Sequence, residues 1–172
     1  MPHSLGSAGT GTSVGLQERA LRHVMSHFCS GVAVVTSLAD GATFGMAVQS
    51  FTSLSLDPPL VSICPARTST SWPPIRDTGR FCVNILASSQ EHLSRRFAIS
   101  GGDKFAGVDW EPTSAGLPGL TGALAWIDCS IEAEHPAGDH TIVIGAVLDL
   151  RLGEDPDGPL LFFRGQYAAL RV

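Results

Sequence analysis

The sequence predicts one mainly β domain, an antiparallel barrel with two or three peripheral helices. Three observations predict it. At least six β-branched or apolar runs are divided by short turn signals, and they do not alternate with helices in β-α-β order. The composition, 44% apolar and 16% charged over 172 residues, suffices to bury one full core.

Residues 2–15 are rich in glycine, serine and threonine and are expected to form a flexible leader, with the folded domain spanning 16–172. Leu16, Ala20, Val24, Met25 and Phe28 then recur at helical spacing, opposite Gln17, Glu18, Arg19, Arg22 and His23, which predicts an amphipathic helix stopped by Gly31. A β-rich stretch follows. Gly31–Leu38 is one strand, Asp40-Gly41 a hairpin turn, Thr43–Leu56 a long alternating strand up to the Asp57-Pro58-Pro59 turn, and Leu60–Cys64 a buried strand. A polar loop leads to a helix start near Pro73. Arg80–Leu86 is another strand, and Ser88-Ser89-Gln90-Glu91 reads as a capping box opening a helix to about Ile99. Ala123–Glu134, His140–Leu152 and Leu160–Leu170 are three further long β runs, joined by the turns Pro136-Ala137-Gly138-Asp139 and Asp155-Pro156-Asp157-Gly158.

Charge and motifs exclude several functions. Ten arginines and one lysine are scattered against 16 acidic residues for a net −5, so no basic stripe exists for a nucleic-acid backbone. No apolar run approaches the roughly 20 residues of a membrane span, and the N-terminus has no signal-peptide order, which makes the cytoplasm the expected location. Cys29, Cys64, Cys82 and Cys129 lie 35, 18 and 47 positions apart, a spacing that favours buried reduced thiols over zinc ligands or disulfides. No metal site is expected. GxGxxG after a strand, Walker, HExxH and GxSxG sequences are all absent.

Three segments carry chemistry. In Gly45–Ser55, small residues, hydroxyls and an amide combine with β alternation. Such a strand suits either a plain half-exposed edge or close approach to a flat heteroaromatic ring, with Ala47, Val48, Gln49, Ser50 and Ser53 as ring candidates and Thr36 and Asn84 beside them. In Cys64–Trp72, four hydroxyls and an arginine precede a helix start, which fits either a loop capped by Ser71 or a phosphate site built on Arg67, Ser69 and Thr70. Gly138-Asp139-His140 is a tight turn delivering a histidine to a strand, suited to orient an amide near neutral pH.

Gly31–Thr36, Ser50–Val61, Gly79–Leu86, Asp103-Lys104-Phe105, Gly138-Asp139-His140 and Gly165-Gln166-Tyr167, in that order, resemble the short-chain flavin reductase family, the reductase components of two-component flavin-dependent monooxygenases. The resemblance runs from about residue 20 to residue 170. It implies a split β-barrel, usually a homodimer, that binds FMN or FAD, reduces it with NADH or NADPH and passes reduced flavin to an oxygenase. It implies a flavin along Met46–Ser53, its phosphate at Ala66–Ser69, and a nicotinamide flanked by His140 and Tyr167. Cys64, Lys104 and Phe105 join the implied cofactor-binding set, with His140 as the catalytic candidate in an orienting or electrostatic role. Gln49 stands where family members often carry asparagine. A flavin carrier without turnover and a pyridoxamine-phosphate-type oxidase are the alternatives, the latter lacking a cationic pocket among the scattered arginines.

Overall fold

A computed structural model describes residues 10–154 and 158–170. Its elements are helix α1 (Thr10–Met25), strands β1 (Ser30–Gly31), β2 (Ala33–Ala39), β3 (Ala42–Val48), β4 (Thr52–Leu56) and β5 (Pro59–Ile63), then helix α2 (Trp72–Asp77) and β6 (Arg80–Ile85). A 3-10 turn at Ser88–Gln90 leads into α3 (Glu91–Ala98). The chain finishes with β7 (Trp110–Pro112), β8 (Pro118–Leu120), β9 (Ala125–Ala137), β10 (His140–Leu152), β11 (Leu160–Phe163) and β12 (Gln166–Ala169).

Seven antiparallel strands form the main sheet in the order β3-β2-β6-β9-β10-β5-β4. Its two edge strands, β3 and β4, are consecutive in sequence and joined by only Gln49, Ser50 and Phe51. Four residue steps span at most about 14 Å, so the sheet has to curl until its edges nearly meet. They meet without pairing, which makes the barrel split. The predicted single strand Thr43–Leu56 is therefore two strands at opposite edges.

The hairpin turns follow their residues. Asp40 and Gly41 both have positive φ, 51° and 78°, as a two-residue type I′ turn requires. Between β9 and β10, Gly138 takes φ 64° and delivers His140 opposite Ala137. The run Leu160–Leu170 is also a hairpin rather than one strand, because Arg164 and Gly165 turn the chain at φ 51° and 80°. It pairs with β1 in a separate three-stranded sheet, and β7 with β8 forms a hairpin that the sequence pattern does not announce.

β2 is buried on both faces over residues 33–37, which explains the apolar run that opens it. Ala33 and Val35 face the barrel interior with Ile63, Phe81, Val83 and Val143, where α2 inserts Trp72 and Ile75 as a plug. Val34 faces outward against Leu93 and Phe97 of α3. Gly45 on β3 admits α3 closely: a Cβ there would lie 2.5 Å from the Phe97 ring.

Further departures from expectation have local causes. The capping contact is made by Gln90, whose Oε1 accepts the Ala87 N–H at 3.0 Å, and not by a Ser88–Glu91 box. α1 begins at Thr10, six positions before the expected boundary, and residues 1–9 of the expected leader lie outside the described residues. So does most of the Asp155–Gly158 turn. α1 ends at Met25, short of the expected stop at Gly31, and its apolar stripe is uncovered among the described residues, with Leu16 62%, Leu21 64% and Val24 65% exposed. No helix among the described residues is long and apolar enough to cross a membrane.

Candidate functional site

A groove of about 500 Å³ opens where the split edge β3, the β5–α2 loop, α3, the β9–β10 turn and β12 converge. Met46, Ala47, Val48, Gln49 and Ser50 form one wall. As an edge strand, β3 has alternate backbone N–H and C=O groups that no neighbouring strand takes. At Ala47 only a methyl group stands beside them. Ser50 Oγ accepts the Cys64 N–H at 2.8 Å, tying the end of this wall to the next loop.

Cys64, Pro65, Ala66, Thr68 and Ser69 form the second wall. Backbone bonds pin this loop to the β9–β10 turn: Arg67 N–H donates to Asp139 O at 2.9 Å and Thr141 N–H to Pro65 O at 3.0 Å. Ser69 Oγ accepts the amides of Ser71 at 3.3 Å and Trp72 at 3.2 Å, so Ser69, rather than the expected Ser71, caps the entry to α2. A hydroxyl has two lone pairs and one proton, and the proton of Ser69 is left to donate.

His140 closes one end of the groove. Its Nδ1 lies 2.8 Å from Asp139 Oδ1. This hydrogen bond, and then the ring's charge, hold the Asp139 carboxyl below its ordinary range. With Asp139 ionised, Nδ1 carries the proton and Nε2 is left for other partners. On the far side, Tyr167 Oη and Ser94 Oγ are 2.8 Å apart, and the Arg95 guanidinium lies over the Tyr167 ring at 4.8 Å.

No carboxylate lines this groove among the described residues, and its surface mixes small apolar residues with hydroxyls and one imidazole. That donor set fits a flat, neutral heteroaromatic ring with an anionic tail. Among the described residues no cluster of three potential metal ligands occurs.

The structure therefore brings together Met46, Ala47, Val48, Gln49, Ser50, Cys64, Ala66, Ser69, His140 and Tyr167. It separates the other candidates from them. Thr36 and Asn84 are fully buried in a polar network: Asn84 Nδ2 donates to Val34 O and Thr36 Oγ1, Thr36 Oγ1 to Pro118 O, and Leu120 N–H to Asn84 Oδ1. They fasten β8 onto the barrel and do not reach the groove. Phe105 is core, edge-on to Phe97 at 5.1 Å. Ser53 is exposed on β4, at the other sheet edge. The Arg67 side chain is exposed outside the groove lining, and Thr70 and Lys104 line a neighbouring cavity of about 280 Å³. Ser94, Ala98 and Ser100 line the groove without having been sequence candidates. The Ser94/Ala98 spacing of four, small residues on one helix face, is the signal that marks them.

The comparisons give the family. Residues 25–171 match the model of the flavin reductase like domain, and the chain belongs to that family. It is 47% identical over 155 residues to the reductase subunit HsaB of a flavin-dependent monooxygenase from Rhodococcus jostii, covering 90% of this chain and 79% of that one. It is 37% identical over 161 residues to an NADH-dependent flavin reductase from a Rhodococcus species, covering 88% and 86%. The crystal structure of nitrilotriacetate monooxygenase component B from Mycobacterium thermoresistibile superposes with a TM-score of 0.88 at 46% identity, covering 92% of this chain and 89% of the other.

Proposed function

We propose that this flavin reductase uses NADH to reduce a flavin seated in the groove and releases the product to a separate monooxygenase. The groove lining carries the reading: it has edge-strand amides for a ring, hydroxyls at a helix entry for a phosphate, and a histidine and a tyrosine across the opening. When bound, the flavin supplies the hydride-accepting ring and the reduced nicotinamide supplies the hydride.

The chain's own task is placement. β3 offers backbone groups along the ring edge, and Ala47 lets the ring approach closely. Ser69 donates its proton at the phosphate end, and the exposed Arg67 adds a positive field there that the net charge of the chain does not cancel locally. His140 is fixed by Asp139 and presents Nε2 as an orienting group for the nicotinamide carboxamide. No side chain is required as an acid or base, because hydride moves between the two rings.

A second copy of the chain completes the fold in this reading. Alternate residues at the far end of β10 lay an apolar stripe on the surface, with Leu148 50%, Leu150 68% and Leu152 78% exposed, and Leu56 of β4 is 89% exposed. A face of that kind calls for a partner, and the open stripe of α1 adds to it. Light scattering is expected to give a dimer, and Leu150→Asp to shift it toward monomer. All four cysteines stand free, in keeping with a reducing cytoplasm.

The test is oxidation of NADH, then NADPH, followed at 340 nm with FMN, FAD and riboflavin in turn. Turnover with NADH and at least one flavin is expected. Flavin binding without turnover would leave a carrier, and no turnover with any flavin sinks the reductase reading.

A further inference from the structure

The chain has one lysine, Lys104, in the loop after α3. Its half-buried ammonium donates to three oxygens on three separate elements: Gly45 O of β3 at 3.1 Å, Phe97 O in the last turn of α3 at 3.1 Å, and Ser71 Oγ at the entry to α2 at 2.8 Å. An ammonium has three protons, so none remains for a ligand. Among the described residues no carboxylate lies within ion-pair distance of it. Burial correspondingly holds its pKa below that of an ordinary lysine.

The three partners belong to elements that wall the groove. β3 contributes Met46, Ala47 and Val48, α3 contributes Ser94 and Ala98, and the loop entering α2 contributes Thr68 and Ser69. The three bonds lie where β3 and α3 already approach closely, at Gly45 against the Phe97 ring. A cation on a carbonyl in the last turn of α3 is also favoured by the helix dipole.

We propose that Lys104 is a positioning residue, which ties these three walls to one point and so sets the width of the groove, without touching the flavin phosphate. The proposal rests on the groove being the flavin site. It differs from a phosphate contact in a measurable way. Loss of a phosphate contact weakens FMN and FAD but spares riboflavin, which has no phosphate, whereas loss of a clamp weakens all three alike.

The experiment compares Lys104→Met and Ser71→Ala with wild type, using KM for riboflavin, FMN and FAD at saturating NADH. In Lys104→Met each KM is expected to rise about tenfold, by the same factor for all three, while kcat stays within about threefold. Ser71→Ala, which removes one acceptor and keeps the lysine, is expected to raise all three by a smaller common factor. Amide exchange over residues 66–71, measured without flavin, is expected to quicken in both variants. A loss confined to FMN and FAD overturns the proposal in favour of a direct contact, and unchanged KM values with unchanged exchange overturn it outright. The exchange measurement needs no flavin, so it tests the clamp even where the wild type fails to oxidise NADH.

Discussion

Replacing Asn84 with alanine separates a residue that holds the fold from one that holds the ligand. Asn84 is fully buried and makes three hydrogen bonds, to Val34 O at 3.0 Å, Thr36 Oγ1 at 2.9 Å and from Leu120 N–H at 2.6 Å. At about 1 kcal/mol for each bond, the loss is about 3 kcal/mol before any cost of the vacated space. The Leu120 amide, left without its acceptor, keeps the effect from relaxing away. For a chain of this length each kcal/mol moves Tm by about 2–4 °C, so Asn84→Ala is expected to melt about 6–12 °C below wild type. Circular dichroism melts at one fixed protein concentration measure it, since association would otherwise shift the midpoint. Flavin KM at 25 °C is expected to stay within about twofold, because no atom of Asn84 lines the groove. A Tm drop under about 2 °C would refute the hydrogen-bond accounting. A tenfold rise in flavin KM with little change in Tm would return Asn84 to the site.

Four other outcomes follow from the same geometry. His140→Ala is expected to raise the nicotinamide KM by about three- to tenfold while sparing flavin affinity in a titration, and an unaltered KM removes His140 from the site. Arg67→Ala is expected to weaken FMN by a few-fold and riboflavin not at all, the opposite signature to Lys104→Met; equal losses for both ligands would deny Arg67 a phosphate role. Burial first, then the Asp128 charge, push the Cys129 thiol up to about 12, and the same two causes raise Cys82 further. A thiol reagent at pH 8 is therefore expected to reach exposed Cys29 quickly and half-buried Cys64 more slowly, with flavin protecting Cys64, which lines the groove. Because the unfolded chain loses these protons near pH 9 and the folded chain keeps them, stability is expected to fall as pH rises from about 9 toward 12. Modification of all four thiols in the native protein would contradict the burial.

Features set by local order in the chain are the ones the sequence makes legible. The Asp40-Gly41 and Gly138-Asp139 turns, the buried β2 and β6 runs and the entry to α2 all rest on contacts within a few residues, where backbone preference and alternation act directly. The groove walls at Met46–Ser50 and Cys64–Ser69 are legible for the same reason: small residues and hydroxyls in a strand or loop limit what that segment can do. Tertiary structure alone decided which polar residues face the groove. Thr36 and Asn84 look like site residues in sequence, yet β8, 34 or more positions away, takes up their hydrogen-bonding capacity. Lys104 belongs to the cofactor-binding set that the resemblance implies, and only the fold shows three distant acceptors converging on it. Likewise the break at Gln49–Phe51 follows from closure of the sheet rather than from the residues there. Periodicity reports which way a side chain points, but partners brought from far along the chain determine what it meets.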